Sequence, residues 1–337
     1  MAIVKPAKLE RGMTVGVIAP SGSIRNLEPL ERGIANLKSM GFSVHEGKFL
    51  RSRYGFLAGH DDDRLADLHR MFENRKVDAI FCARGGYGTS RLAGGINYEL
   101  VRRNPKIFVG FSDITYLSLA FMKMCKLVTF NGPMVNFIFG DAEPRSFPVE
   151  GLQRTICEAR PAGSIWHGHE DRNYRVVRHG AARGRLTGGN LSLLAASIGT
   201  AYEIDTRGKI VFLEEIEEQP YRIDRMLTQM ISAGKLSNAA GIVIGRNIPH
   251  AESLAIEQAA AARGLLKTMP APKRRVANDY DQTMDDIFNE RLRGLGVPVI
   301  SGLPFGHIKD LATLPVGIMA SMDSKSGDLT IEEAAVK

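Results

Sequence analysis

Ser112 sits in the stretch KIFVGFSDITYLSLA (106–120), where an apolar run ends at Gly110 and a helical pattern begins shortly after. A serine at that junction has two chemistries open to it. Its hydroxyl can cap the helix by accepting from an amide of the first turn. It can also act as a nucleophile, provided a base lies within hydrogen-bond reach. Three other groups stand at comparable places. Arg84, Gly85, Gly86, Tyr87 and Gly88 follow the apolar run 77–83, Glu214 and Glu215 follow 209–213, and His307 follows a third such run behind Gly306. Each has a plainer role available: a tight turn, the solvated start of a helix, a structural loop histidine. The chain order serine, acid, histidine is nevertheless one that nucleophilic triads use. The local pattern departs from the common nucleophile elbow, since Gly110 lies two before the serine but Ile114 lies two after it. RGGYG lacks the lysine and the spacing of a P-loop and is not GxGxxG, so it offers uncovered amides rather than a nucleotide fingerprint.

The elements that must position these groups read as an α/β chain. TVGVIAP, FSVHEG, VDAIFCA and KIFVG are strand-like. Between them, Leu27, Leu30, Ile34 and Leu37 recur at helical spacing before Gly41, and DDDRLADLHRMFEN opens on acids that favour a helix N-terminus. Continuous apolar strands alternating with helices predict a parallel sheet covered on both faces. Ligands of such sheets bind at the carboxyl ends of the strands, which is where the four groups fall. Periodicity then fades, and Gly, Pro, His and Arg collect. The expected division is a nucleophile-bearing domain over 1–145, a linker over 146–175, and a β/α domain over 176–337 carrying the acid and the base. In that last part Ile223, Met226, Leu227, Met230 and Ile231 form one helical stripe that stops at Gly234.

The bulk properties narrow the function. A chain of 337 residues suits two domains. No apolar run approaches the roughly 18 residues that span a bilayer, and charges stand where a signal peptide would be apolar, so the expectation is a cytoplasmic protein without a membrane partner. Cys82, Cys125 and Cys157 are few, odd in number and without CxxC spacing, which argues against a disulfide framework and a structural zinc site. The formal charge is +7, and between 152 and 187 seven arginines face only Glu158, Glu170 and Asp171. Trp166 and Tyr174 are the only large stacking aromatics there, so the stretch reads as a solvated edge rather than a nucleic-acid surface.

Taken together, GVIAPSG, ARGGYGTSRL, GFSDITYL, NGPM, GRLTGGNLSLL, VFLEEIEEQPYRIDRMLTQM and GLPFGHIKDLATLPVG resemble the LD-carboxypeptidase family of serine peptidases, which also holds the microcin C immunity enzymes. The matching blocks cover nearly the whole chain in the family's order. The resemblance implies a Rossmann-like N-terminal domain and a smaller, swivelling β/α/β C-terminal domain, with the site between them. Carried over residue by residue, it puts the nucleophile on Ser112, the acid on Glu214, the base on His307, and the oxyanion hole on the amides of Gly86 and Asp113. Where many relatives read LED, this chain reads LEE, so Glu215 stands beside the implied acid. The segment 246–280 matches poorly and receives no role.

The implied activity is removal of the terminal D-alanine from a murein tetrapeptide during peptidoglycan recycling, by a homodimer. Such chemistry needs no metal and no organic cofactor. Arg84 and Gly85 are the nearest candidates to hold the substrate's carboxylate, with an ion-pair role open to Arg84 as well. Two alternatives stand beside this expectation. One is an immunity-type hydrolase of peptidyl- or aminoacyl-nucleotides, for which Trp166 is the only tryptophan able to stack a base. The other is a non-catalytic binding module on the same fold.

Overall fold

The computed structural model describes residues 2–246 and 282–337. Apart from Arg246, the poorly matching segment 246–280 lies outside the described residues.

The first half alternates strands and helices as its periodicity predicts. The strands are β1 (Thr14–Ile18), β2 (Ser43–Glu46), β3 (Ala79–Cys82), β4 (Ile107–Val109) and β5 (Thr129–Asn131). The helices are α1 (Glu28–Ser39), α2 (Asp61–Glu73), α3 (Tyr98–Arg103) and α4 (Thr115–Cys125). β1 pairs in parallel with β2 and β3, β3 with β4, and β4 with β5. Every residue of β3, β4 and β5 is buried, which is why those strands lack polar alternation.

The second half supplies α5 (Ser146–Ile156), β6 (Pro161–Ser164), β7 (Arg175–Arg178), β8 (Ala181–Asn190), α6 (Leu191–Ser197), β9 (Ile210–Glu214), α7 (Pro220–Ser232), β10 (Gly241–Gly245), α8 (Met284–Leu292), β11 (Val299–Leu303), β12 (Leu314–Val316), β13 (Met319–Asp323) and β14 (Asp328–Ala334). Eight of these strands form one sheet in the order β6-β14-β13-β8-β9-β10-β11-β7. Its centre, β8 to β11, is parallel, and antiparallel strands flank it. The stripe on α7 buries Ile223, Leu227 and Met230, as its spacing predicts.

Two expectations about organisation change. The stretch 146–175 is no plain linker, since it contains α5 and the edge strand β6, which pairs antiparallel with β14. Its low periodicity reflects short elements held by distant partners: Trp166 is buried, and its indole nitrogen donates to the Gly327 carbonyl at 2.8 Å. The division at 176 is also crossed, because β12 leaves the second half and pairs antiparallel with β5, completing a six-stranded first sheet. The second unit, expected as the smaller, thus carries the larger sheet. Three of the seven arginines of 152–187 pair with acids elsewhere in the chain: Arg175 with Asp285, Arg183 with Glu332 and Arg185 with Glu333. Among the described residues no helix is long and apolar enough to cross a membrane.

Candidate active site

Ser112 follows the carboxyl end of β4 and opens a short 3-10 turn that runs into α4. Its hydroxyl caps nothing, because the residue at the capping position is Phe111 and makes no side-chain cap. Ser112 instead has φ +64°, in the left-handed region that L-residues other than glycine rarely enter. Such a conformation stores on the order of 1–3 kcal/mol and persists where the surroundings enforce it. The enforcement is local. A Cβ on Gly110 would lie 2.9 Å from Ile114 Cγ2 and 3.1 Å from Cys82 Cβ, so the glycine two before the serine makes the space that Ile114 fills. The missing second glycine of the elbow pattern is thereby accounted for.

The turn delivers the Ser112 hydroxyl to His307, with Oγ 2.9 Å from Nε2. On the other side of the ring, Nδ1 lies 2.7 Å from Glu214 Oε2. With Nδ1–H donating to the carboxylate, Nε2 is the acceptor for the serine proton. Glu214 is the last residue of β9, and His307 lies in the loop after β11, so acid and base come from the second sheet and the serine from the first. The ring also meets Phe111 edge-on, with centroids 4.9 Å apart. Burial pushes the imidazole's pKa down, but the charge and hydrogen bond of Glu214, followed by the charges of Glu215 and Glu217, outweigh it, and the net shift is upward.

Glu215 points the other way, as strand alternation requires. It accepts from Asn190 Nδ2 at 2.8 Å and from the amide and hydroxyl of Ser192 at 2.9 and 2.7 Å. Burial and the neighbouring Glu214 charge raise its pKa, against those three donors and the Ile216 amide. Asn190 in turn donates its backbone N–H to Thr115 Oγ1 at 3.1 Å, so the start of α4 and the end of β9 are tied through one polar chain.

The glycine loop after β3 lies against Ser112. A Cβ on Gly85 would sit 2.9 Å from Ser112 Cβ and 3.0 Å from its Oγ, so a side chain there would displace the hydroxyl. The Gly86 and Asp113 amides donate to no group among the described residues. Among the described residues Arg84 pairs with no carboxylate. Its guanidinium donates to the Ser23 and Gly85 carbonyls at 3.0 and 3.2 Å, which makes it a brace of the loop.

The side chain of Asp113 has a role that its place in the sequence does not reveal. Its carboxylate accepts from Ser21 Oγ at 2.6 Å and from the Thr89 amide at 2.9 Å, while Thr89 Oγ1 donates to the Asp113 carbonyl. The loops after β1, β3 and β4 therefore meet at one buried carboxylate. The acid directly after the serine was a visible signal, but its partners are 92 and 24 residues away in the chain. Phe56 and Arg25, which with Tyr87 line a groove beside Gly86, carry no signal in the sequence that marks them.

Family models for the LD-carboxypeptidase N-terminal and C-terminal domains match residues 15–132 and 183–322. The chain belongs to the LD-carboxypeptidase family. The family's two domains coincide with the serine-bearing and acid-and-base-bearing halves. A Bacillus subtilis relative described as "Probable murein peptide carboxypeptidase" is 38% identical over 97% of this chain and 94% of its own. Among solved structures, the muramoyltetrapeptide carboxypeptidase of Oxalobacter formigenes superposes with a TM-score of 0.76 at 29% identity, covering 95% of this chain and 99% of that one. An MccF-like protein of Bacillus anthracis superposes with a TM-score of 0.80 at 25% identity, covering 97% and 99%.

Proposed function

We propose that this family member is a serine-type LD-carboxypeptidase that releases the terminal D-alanine of a murein tetrapeptide. The observation that carries the mechanism is the relay from Ser112 Oγ through His307 to Glu214, at 2.9 and 2.7 Å. A serine hydroxyl is a weak nucleophile, and neutral His307 takes its proton as Oγ attacks the carbonyl of the residue before the D-alanine. Glu214 keeps the imidazole in the tautomer with Nδ1 protonated and stabilises the imidazolium that forms. The Gly86 and Asp113 amides face the developing oxyanion, each contributing about 3 kcal/mol. His307 then protonates the leaving amine of D-alanine. Water, deprotonated by the same imidazole, opens the acyl-enzyme. Asp113 acts through its side chain as well, by holding the loops after β1 and β3 against the nucleophile.

The test is mass spectrometry of murein tri-, tetra- and pentapeptides incubated with the protein. The tetrapeptide is expected to lose one alanine, and its all-L isomer to react poorly, since side chain and carboxylate would exchange places in the pocket. An untouched tetrapeptide would sink this reading.

A second reading, hydrolysis of an aminoacyl- or peptidyl-nucleotide, draws support from one feature. Phe56 and Tyr87 are exposed and meet edge to face at 5.6 Å beside Gly86, where a base could stack. Trp166, buried, offers no such surface. A larger kcat/KM for an aminoacyl-adenylate analogue than for the tetrapeptide would favour this reading. From the family resemblance we also assign a cytoplasmic location and a homodimer, the latter to be measured by light scattering coupled to size exclusion.

A further inference from the structure

A groove of about 510 Å³ opens beside the glycine loop and is lined by Gly22, Ser23, Arg25, Phe56, Arg84, Gly86 and Tyr87. Two guanidinium groups and two exposed aromatic rings therefore stand next to the amide that would hold the oxyanion. The two arginines are not equivalent. Arg84 is half-buried, and its N–H groups go to the Ser23 and Gly85 carbonyls. Arg25 is exposed and makes no hydrogen bond or ion pair among the described residues. No carboxylate lines the groove. Burial, and then the charge of Arg25, depress the pKa of Arg84, so the two cations repel across the groove, and no acid among the described residues lines it.

This arrangement is complementary to an anion. A guanidinium offers a carboxylate two parallel N–H donors, and it is less strongly hydrated than an ammonium. The rings of Phe56 and Tyr87 give the same groove an apolar wall for aliphatic atoms next to that carboxylate. We infer that Arg25 anchors a carboxylate of the substrate peptide in this groove, with Arg84 fixing the loop that forms its floor. The inference rests on the peptidase reading above and deepens it by naming the specificity residue. The carboxylate has two sources, the free terminus of the leaving residue or an acidic group on the acyl side, and the chemistry of recognition is the same for both.

Two measurements test the subsite, the first of them independently of turnover. The first is calorimetric binding of the tetrapeptide to Ser112→Ala protein with and without Arg25→Ala. The second is steady-state hydrolysis by the Arg25→Ala and Arg25→Lys proteins. Loss of one charge-assisted contact weakens binding by about 10- to 100-fold, so Kd and KM are expected to rise by that factor with kcat nearly unchanged. Arg25→Lys, which keeps the charge but loses the fork, falls between. The C-terminal amide of the tetrapeptide separates the sources. If the terminal carboxylate is bound, Arg25→Ala has no further effect on the amide; if an inner carboxylate is bound, its effect persists. Equal binding of the tetrapeptide with and without Arg25, or no binding at all, overturns the inference. Arginine-dependent binding without alanine release by the wild-type protein would retain the subsite and sink the carboxypeptidase reading instead.

Discussion

Glu214 and Glu215 are consecutive residues with separate duties: one carboxylate lies 2.7 Å from His307 Nδ1, and the other accepts from Asn190 and Ser192 at the start of α6. The end of β9 thus faces the triad on one side and the junction of the two sheets on the other. Both carboxylates are buried, so each is informative when neutralised.

Glu214→Gln is expected to lower kcat by about 10⁴, because the amide can donate to Nδ1 and so favour the tautomer that blocks Nε2. Glu215→Gln removes a charge but retains one acceptor oxygen. Its expected effect is a change in kcat of no more than a few-fold and a stability loss of about 1 kcal/mol, from an amide group facing the donors of Asn190 and Ser192. Steady-state kinetics and denaturant melts on both variants check this. The reverse ranking would assign the acid to Glu215.

Ser112 combines a left-handed backbone with a hydroxyl that caps no helix. Ser112→Ala is expected to abolish turnover with the fold intact. Ser112→Gly should do the same and gain about 1 kcal/mol of stability, since glycine adopts positive φ without the Cβ penalty. Thermal melts and an alanine-release assay on the pair are sufficient. An active Ser112→Ala protein would end the nucleophile reading.

Gly85 makes a sharper demand, because the loop meets the nucleophile there. Gly85→Ala places a methyl group 2.9 Å from Ser112 Cβ, and the neighbour that must give way is the reacting side chain. The expected result is a fall in kcat of about 10²-fold, as for a misplacement of about 1 Å, with the melting temperature changed by only a few degrees. Unchanged kcat would mean that the loop relaxes away from the serine.

Much of this site could be read in the sequence because its parts occupy one kind of place. Ser112, the glycine loop, Glu214 and His307 each follow an apolar run, and each run is a buried strand. The stripe on α7 follows from side-chain periodicity alone. What escaped depends on pairings between distant residues. Asp113 looks like a helix-opening acid until Ser21 and Thr89 are brought to it by β1 and β3. Arg84 and Arg25 are equally basic in sequence, and only the structure shows that one is held by the carbonyls of Ser23 and Gly85 while the other has no partner among the described residues. The weak periodicity of 146–175 concealed a helix and an edge strand, since a strand of four residues carries too little pattern to be recognised without its partner β14.

The last prediction concerns pH. His307 is only partly exposed, which alone would lower its pKa, but Glu214 reverses the sign, so the imidazole titrates above its ordinary value near 6.5. The base must be neutral to take the Ser112 proton. The log of kcat/KM should therefore rise with pH and level off only above that raised value. Replacing Glu214 by Gln leaves the effect of burial and removes its main counterweight, so the inflection should move to lower pH while the plateau falls. Stability carries the opposite sign. A pKa raised on folding contributes stability that is fully present below the unfolded value and is lost as pH rises through the folded one. Thus the charged His307–Glu214 pair stabilises the fold on the acid side, where the enzyme is inactive. As pH rises from about 6.5 through that raised value, Glu214→Gln protein should lose less stability than wild type in urea melts. If neither the kinetic inflection nor this difference moves in the variant, the carboxylate of Glu214 does not govern the imidazole, and its 2.7 Å contact is structural.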